Sequence, residues 1–176
     1  MDLYFLRHAN AGTSLTNLIQ DEKRALDELG IEQSHRMGKA MKALKIELDA
    51  IISSPLERAK QTAALVAEEL GFGKSLLLEN SLRPDAEFED FRALMRRHAK
   101  QKAIMVVGHN PTLSEFLAKL VSDEAADSTI ELKKGALAKM EIEKRRPGLQ
   151  WILTPKIAQA IQETSAARSR PKTSRK

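Results

Sequence analysis

At 176 residues, 42% of them hydrophobic and 30% charged, the chain suffices for one domain with a true core and is short for two. It has no cysteine, which excludes a disulfide framework, thiolate metal ligation and a cysteine nucleophile. The net charge of +5 is carried by Lys156, Arg168, Arg170, Lys172, Arg175 and Lys176 against Glu163, so the body before them is neutral, and with 4% aromatics it offers little to nucleic acid.

Residues 3–6, Leu-Tyr-Phe-Leu, read as a strand between Asp2 and Arg7. They are too short and wrongly flanked for a secretory signal, and no apolar run has membrane-spanning length, so the expected location is cytoplasmic, with no membrane partner. A helix follows over 27–44, capped by Asp27 and weakened by Gly30 in its first turn. A strand at 50–52 leads into a helix over 55–70, with Pro55 in the first turn and Gly71 as the stop. Residues 75–79 are a weaker strand. A helix opens at Asp85 or Ala86 and runs to 100, with Phe88, Phe91, Leu94 and Met95 at core spacing. The clearest strand is 103–107, ended by Gly108. Asn110-Pro111 then opens a helix to about 121 as cap plus first-turn proline, and 136–142 and 150–154 are two more strands. Short apolar runs alternating with helical periods predict a three-layer α/β/α sandwich with a mainly parallel central sheet. The domain is expected over 1–157. Residues 158–176, poor in large apolar side chains, are expected to form a basic, flexible tail.

The chemistry gathers where strands end. Arg7-His8 follows the first, Ser53-Ser54-Pro55 with Arg58 the second, and Gly108-His109-Asn110-Pro111 the clearest one. Ligands of an open α/β sheet bind outside the carboxyl ends of its strands, which a parallel sheet aligns. Two guanidinium forks beside two imidazoles favour a phosphate-like anion, and a helix starting near Asn110 adds its amides. An imidazole among arginines is favoured in its neutral, nucleophilic form. These residues include no carboxylate cluster, so neither a metal nor another cofactor is expected.

The motifs Leu6-Arg7-His8-Ala9, Ser54-Pro55-Leu56-Glu57-Arg58-Ala59-Lys60-Gln61-Thr62 and Gly108-His109-Asn110-Pro111 resemble, in order and spacing, the histidine phosphatase superfamily, or phosphoglycerate mutase-like fold. The resemblance covers 1–155 and is nearest to the small bacterial phosphohistidine phosphatase branch, the SixA-like proteins. It implies His8 as nucleophile, Arg7 and Arg58 as ligands of the phosphoryl oxygens, and His109 as a donor to the transition state. Arg24 then helps to admit an anionic substrate, though as part of the run Asp21-Glu22-Lys23-Arg24 it reads equally as a charged loop residue. Ser54 and Asn110 are further substrate-binding candidates.

The sequence departs from the family at Ala9, where glycine is usual, and in lacking a trusted motif for the carboxylic acid that protonates an alkoxide leaving group. Asp85 and Glu87 are the candidates, and Asp85 reads as well as a helix cap. A phosphohistidine substrate relaxes that need, because imidazole leaves more readily than an alkoxide.

The expected activity is therefore a metal-independent hydrolase acting through phosphohistidine at His8 on a phosphohistidine-bearing protein, a role in signal transduction. Phosphate, vanadate or sulfate should occupy the same site. The alternatives are a phosphatase for a small phosphate ester and a phosphate-recognition module without turnover. His35, His98 and Trp151 read as structural or exposed residues.

Overall fold

The computed structural model describes residues 1–122, 130–142 and 147–169, with side chains through residue 164. Six strands, β1 (Asp2–Arg7), β2 (Ala50–Ser53), β3 (Leu77–Leu78), β4 (Ala103–Gly108), β5 (Leu137–Ile142) and β6 (Pro147–Leu153), form one sheet in the order β3-β2-β4-β1-β5-β6. The pairs β1–β4, β2–β4 and β2–β3 are parallel. β5 lies antiparallel to β1 and makes an antiparallel pair with β6, so the sheet is mixed at one side. This is the expected α/β architecture with its parallel centre.

The parallel strands read as continuous apolar runs because both their faces are covered. Leu3, Phe5, Ile52, Ile104 and Val106 point to one face. There they pack on Phe91 and Leu94 of α4 (Phe88–Arg97) and on Phe116 and Leu117 of α5 (Thr112–Val121). The Phe5 ring lies 5.7 Å from that of Phe91, which lies 4.9 Å from that of Phe116. The alternate residues Tyr4, Leu6, Ile51, Met105 and Val107 point the other way. They meet Met37 and Met41 of α2 (Glu28–Ala43) and Ala59, Ala63 and Val66 of α3 (Glu57–Leu70).

Element ends follow local chemistry. Asp27 caps α2, its Oδ1 accepting from the Gly30 N–H at 2.8 Å. Gly71 stops α3 in the left-handed region at φ 67°. Gly30 admits a close approach: a Cβ built there would lie 1.9 Å from the Asn10 carbonyl oxygen.

Two α-helices escape the sequence reading. The short helix α1 (Leu18–Glu22) buries none of its residues. Where the sequence reading expected a tail from residue 158, the structure has α6 (Pro155–Ser169), whose Ala158 is buried and whose Gln159 accepts from Arg36 Nη1 at 2.5 Å. A contact made by one alanine and glutamine side chains leaves no apolar stripe for a sequence to display. The rest of the expected tail, residues 170–176, lies outside the described residues. Among those described, no helix is long and apolar enough to cross a membrane.

Candidate active site

The three motifs meet because β2, β4 and β1 are adjacent parallel strands. The ladder pairs Arg7 with Gly108 and Ser53 with Val107. It continues one residue further, with His8 N–H on Gly108 O at 2.9 Å and Ser54 N–H on Val107 O at 2.9 Å. His8, Ser54 and His109 therefore leave the sheet side by side at its carboxyl edge. The His8 and His109 rings are 5.0 Å apart between centroids, tilted by 53°.

His8 is 6% exposed and His109 2%. Burial, aided by the charges of Arg58 and Arg7 against an opposing bond to Ala9, lowers the His8 pKa to about 3. Burial, followed by the charges of His8 and Arg58, lowers that of His109 to about 2. Both rings are neutral near pH 7. The His8 Nδ1 lies 2.7 Å from the Ala9 carbonyl, which can only accept, so Nδ1 carries the proton and Nε2 keeps a lone pair. The Ala9 N–H in turn donates to Thr62 Oγ1 at 3.1 Å, and Ala9 is fully buried.

Arg7 Nη1 donates to the Leu132 carbonyl at 2.7 Å, and Arg58 Nη1 to the Asp21 carbonyl at 2.9 Å. Burial pulls both guanidinium pKa values down. Arg7 Nε, Arg58 Nε and His109 Nδ1 are buried without a hydrogen-bond partner among the described residues. Arg24 joins the same constellation: its Nε donates to Asp21 Oδ1 at 2.8 Å and its Nη1 to the Ala11 carbonyl at 2.6 Å, and its charge bears on Arg58 and His109.

Four expected residues are placed differently from the sequence reading. Ser54 is fully buried with its Oγ 2.8 Å from His109 Nε2, on the imidazole rather than open to a ligand. Asn110 does not cap α5. Pro111 takes the N-cap position, the Leu113 N–H is satisfied by the His109 carbonyl at 2.8 Å, and Asn110 Nδ2 donates to Leu132 O at 3.0 Å. Asp85, its side chain 83% exposed, and exposed Glu87 line a separate cleft of about 400 Å³ with Asn80, Arg83, Asp90 and Arg97, in which neither histidine takes part.

Sequence reasoning missed Asp21, Arg83 and Lys134. Asp21 Oδ2 lies 3.3 Å from Arg58 Nη1, and the hydrogen bond from Arg24 holds its pKa below the usual carboxylate range. The charges of Arg83 and Lys134 bear on His109 and His8 respectively. A charged run such as 21–24 has no periodicity that could have singled out its Asp. Two quoted motif residues had no assigned role: Gln61 accepts from the Leu26 N–H at 2.9 Å, and Thr62 holds Ala9. Among the described residues, no three His, Asp or Glu side chains are grouped to hold a metal.

The histidine phosphatase superfamily (branch 1) pattern matches residues 3–84. The chain is also 30% identical over 140 residues to the uncharacterised protein SYNPCC7002_A2622 of Picosynechococcus, across 78% of this chain and 82% of that one. The chain belongs to the histidine phosphatase superfamily. Its 24% identity to the phosphohistidine phosphatase SixA of Escherichia coli extends over 92% of this chain and 100% of that one, consistent with the small SixA-like branch. A structure of SixA complexed with tungstate superposes with a TM-score of 0.79 at 21% identity, over 89% of this chain and 98% of that one. The alpha-ribazole phosphatase of Shigella flexneri has a TM-score of 0.70 at 18% identity, over 88% and 97%. A 2,3-bisphosphoglycerate-dependent phosphoglycerate mutase of Parvibaculum lavamentivorans is 31% identical over 57% of this chain; this superfamily member spans only 48% of that mutase.

Proposed function

We propose that the protein is a phosphatase that carries the phosphoryl group on His8 Nε2, and that its substrate is a phosphohistidine on a protein. The observation that carries this reading is the His8 ring. It is neutral, its proton is tied to Ala9 O at 2.7 Å, and it stands 5.0 Å from His109 near the buried Arg7 and Arg58 Nε groups, which have no partner among the described residues. Such donors are costly unless an anion meets them.

In the first step the His8 Nε2 lone pair forms a bond to phosphorus as the substrate's P–N bond breaks. The electron pair stays with the departing imidazole, which leaves neutral when its second nitrogen is protonated. Ala9 O then faces the cationic phosphoimidazolium of His8. Arg7, Arg58 and His109 hold the equatorial oxygens, where charge must be stabilised. In the second step water oxygen bonds to phosphorus, the P–Nε2 pair returns to His8, one water proton passes to solvent, and inorganic phosphate leaves.

Two features favour a phosphohistidine on a protein over a small ester. The carboxylate beside the arginines, Asp21, is held ionised and so is no proton donor near neutrality, while Asp85 and Glu87 face solvent. An alkoxide needs such a donor; an imidazole does not. The second feature favours a protein: Leu18 and Ile19 are 80% and 71% exposed on α1, the helix whose Asp21 touches Arg58. An apolar edge next to the site suits a macromolecular carrier.

The test is kcat/KM on a histidine-phosphorylated phosphotransfer domain against phosphoserine and small sugar phosphates, with and without EDTA. A preference for the domain, undiminished by chelator and blocked by vanadate, is expected. Preference for an ester would overturn the substrate, and metal-dependent turnover would overturn the mechanism.

A further inference from the structure

We propose that Ser54 is a positioning residue that sets the tautomer of His109, placing the ring proton on Nδ1 where it can be donated to the phosphoryl oxygens. The proposal rests on the reading of His109 as an anion donor. Ser54 Oγ lies 2.8 Å from His109 Nε2, and both residues are buried. The same Oγ already accepts the Leu56 N–H at 3.3 Å.

A hydroxyl has one proton and two acceptor positions. If His109 Nε2 also donated to it, both acceptor positions would be filled and the hydroxyl proton would be sealed inside the protein with no acceptor among the described contacts. If instead the hydroxyl donates to Nε2, every atom from Leu56 N–H through Ser54 Oγ to His109 Nε2 is satisfied. The imidazole proton then belongs to Nδ1, which is buried without a partner among the described residues. The choice matters because burial keeps the ring uncharged down to about pH 2. A neutral imidazole with its lone pair toward the anion would repel it; the other tautomer donates a hydrogen bond.

His8 obeys the same rule with the opposite result. Its Nδ1 meets a carbonyl, an obligate acceptor, so the proton is drawn away from Nε2 and a lone pair is left for phosphorus. His109 Nε2 meets a hydroxyl able to donate, so the proton is left on the free nitrogen. Two neutral rings from adjacent strands become nucleophile and donor through the identity of one neighbouring oxygen each.

Nitrogen-15 NMR of the full chain labelled at histidine tests this directly, with the four rings assigned by single substitutions. Wild-type His109 is expected to show a protonated Nδ1 and a bare Nε2. A proton on Nε2 would overturn the proposal, and this readout requires neither a variant nor activity. In Ser54→Ala the proton should move at least partly to Nε2. In parallel kcat should fall by about 10- to 100-fold, the scale on which partners that orient metal-ligating histidines act, with vanadate inhibition weakened more than KM is raised. Ser54→Thr, which restores the hydroxyl, should recover the tautomer. An unchanged tautomer and unchanged kcat in a folded Ser54→Ala protein would also overturn it. Absence of turnover on every phosphorylated substrate would instead sink the proposed function and leave the tautomer result standing.

Discussion

The rings of His8 and His109 lie 5.0 Å apart because β1 and β4 are hydrogen-bonded neighbours whose register pairs Arg7 with Gly108. That pairing makes a sharp prediction for the nucleophile. His8→Ala removes the only atom proposed to form the phosphoryl bond, and phosphate release should fall by at least about 10⁴-fold. The circular dichroism spectrum should be unchanged, because the backbone N–H that joins residue 8 to Gly108 O at 2.9 Å remains. Measurable multiple turnover in this variant would reassign the nucleophile.

Stability should fall as pH drops through the ordinary histidine range. Unfolded imidazoles titrate near 6.5, whereas folding holds His8 near 3 and His109 near 2. Above pH 6.5 neither state binds the protons and these groups make no difference. Below it the unfolded chain takes up about two protons that the folded one refuses, so the unfolding free energy declines with falling pH. Between pH 7 and 5 the two histidines together should remove on the order of 4 kcal/mol. Urea denaturation at the two pH values measures it. In His109→Gln roughly half of the decline should vanish, and an unchanged decline would show that the ring titrates normally in the fold.

The exposed carboxylates should be dispensable. Asp85, its side chain 83% exposed, meets Arg83 Nε at 3.7 Å, and Glu87 sits at the start of α4 with no side-chain capping bond. Asp85→Asn and Glu87→Gln should each leave kcat on phosphohistidine within about 2-fold, in line with surface substitutions away from the site. A general acid would betray itself by a loss of about 10²-fold or more.

Much of this arrangement was legible in the sequence where a single rule governs. The apolar run of β4 ended by Gly108, and Asp27 and Gly71 at their helix ends, appear as read, since continuous burial, capping and left-handed stops leave local marks. Arg7, His8, Arg58 and His109 converge because strand order does what spacing alone cannot reveal. The illegible parts are those decided by partners distant in sequence. Asn110 has cap chemistry, but the Leu132 carbonyl takes its amide. Ser54 turns to an imidazole that arrives from another strand. Asp21 looks like any member of a charged run until Arg58 lies 3.3 Å away.

The apolar edge of α1 separates a protein substrate from a small one. The helix is moored by polar contacts, Asp21 to Arg24 and Arg58 and Glu22 to Arg83, and buries none of its own residues. Leu18→Asp with Ile19→Asp should therefore leave the fold and the hydrolysis of a small aryl phosphate intact. On a histidine-phosphorylated phosphotransfer domain kcat/KM should fall by about 10-fold or more, the scale on which lost interface anchors act. Equal rates for both proteins on the domain would remove α1 from substrate recognition.

Gly30→Ala sets helix propensity against packing. In an exposed helix the change would stabilise by up to about 1 kcal/mol. Here the new Cβ would stand 1.9 Å from the Asn10 carbonyl oxygen, a backbone atom that accepts the Asp27 N–H at 3.2 Å. Asn10 is also held through its side chain, which donates to Asp27 Oδ2 at 2.6 Å and accepts from Lys134 Nζ at 2.8 Å. Relief therefore requires moving the start of α2 or the loop that follows His8, and overpacking of this kind costs about 1–3 kcal/mol. Denaturant unfolding should show net destabilisation, and kcat should fall with it because Ala9 and Asn10 continue directly from His8, the proposed nucleophile. A more stable variant with full activity would mean that α2 does not press on Asn10 as described.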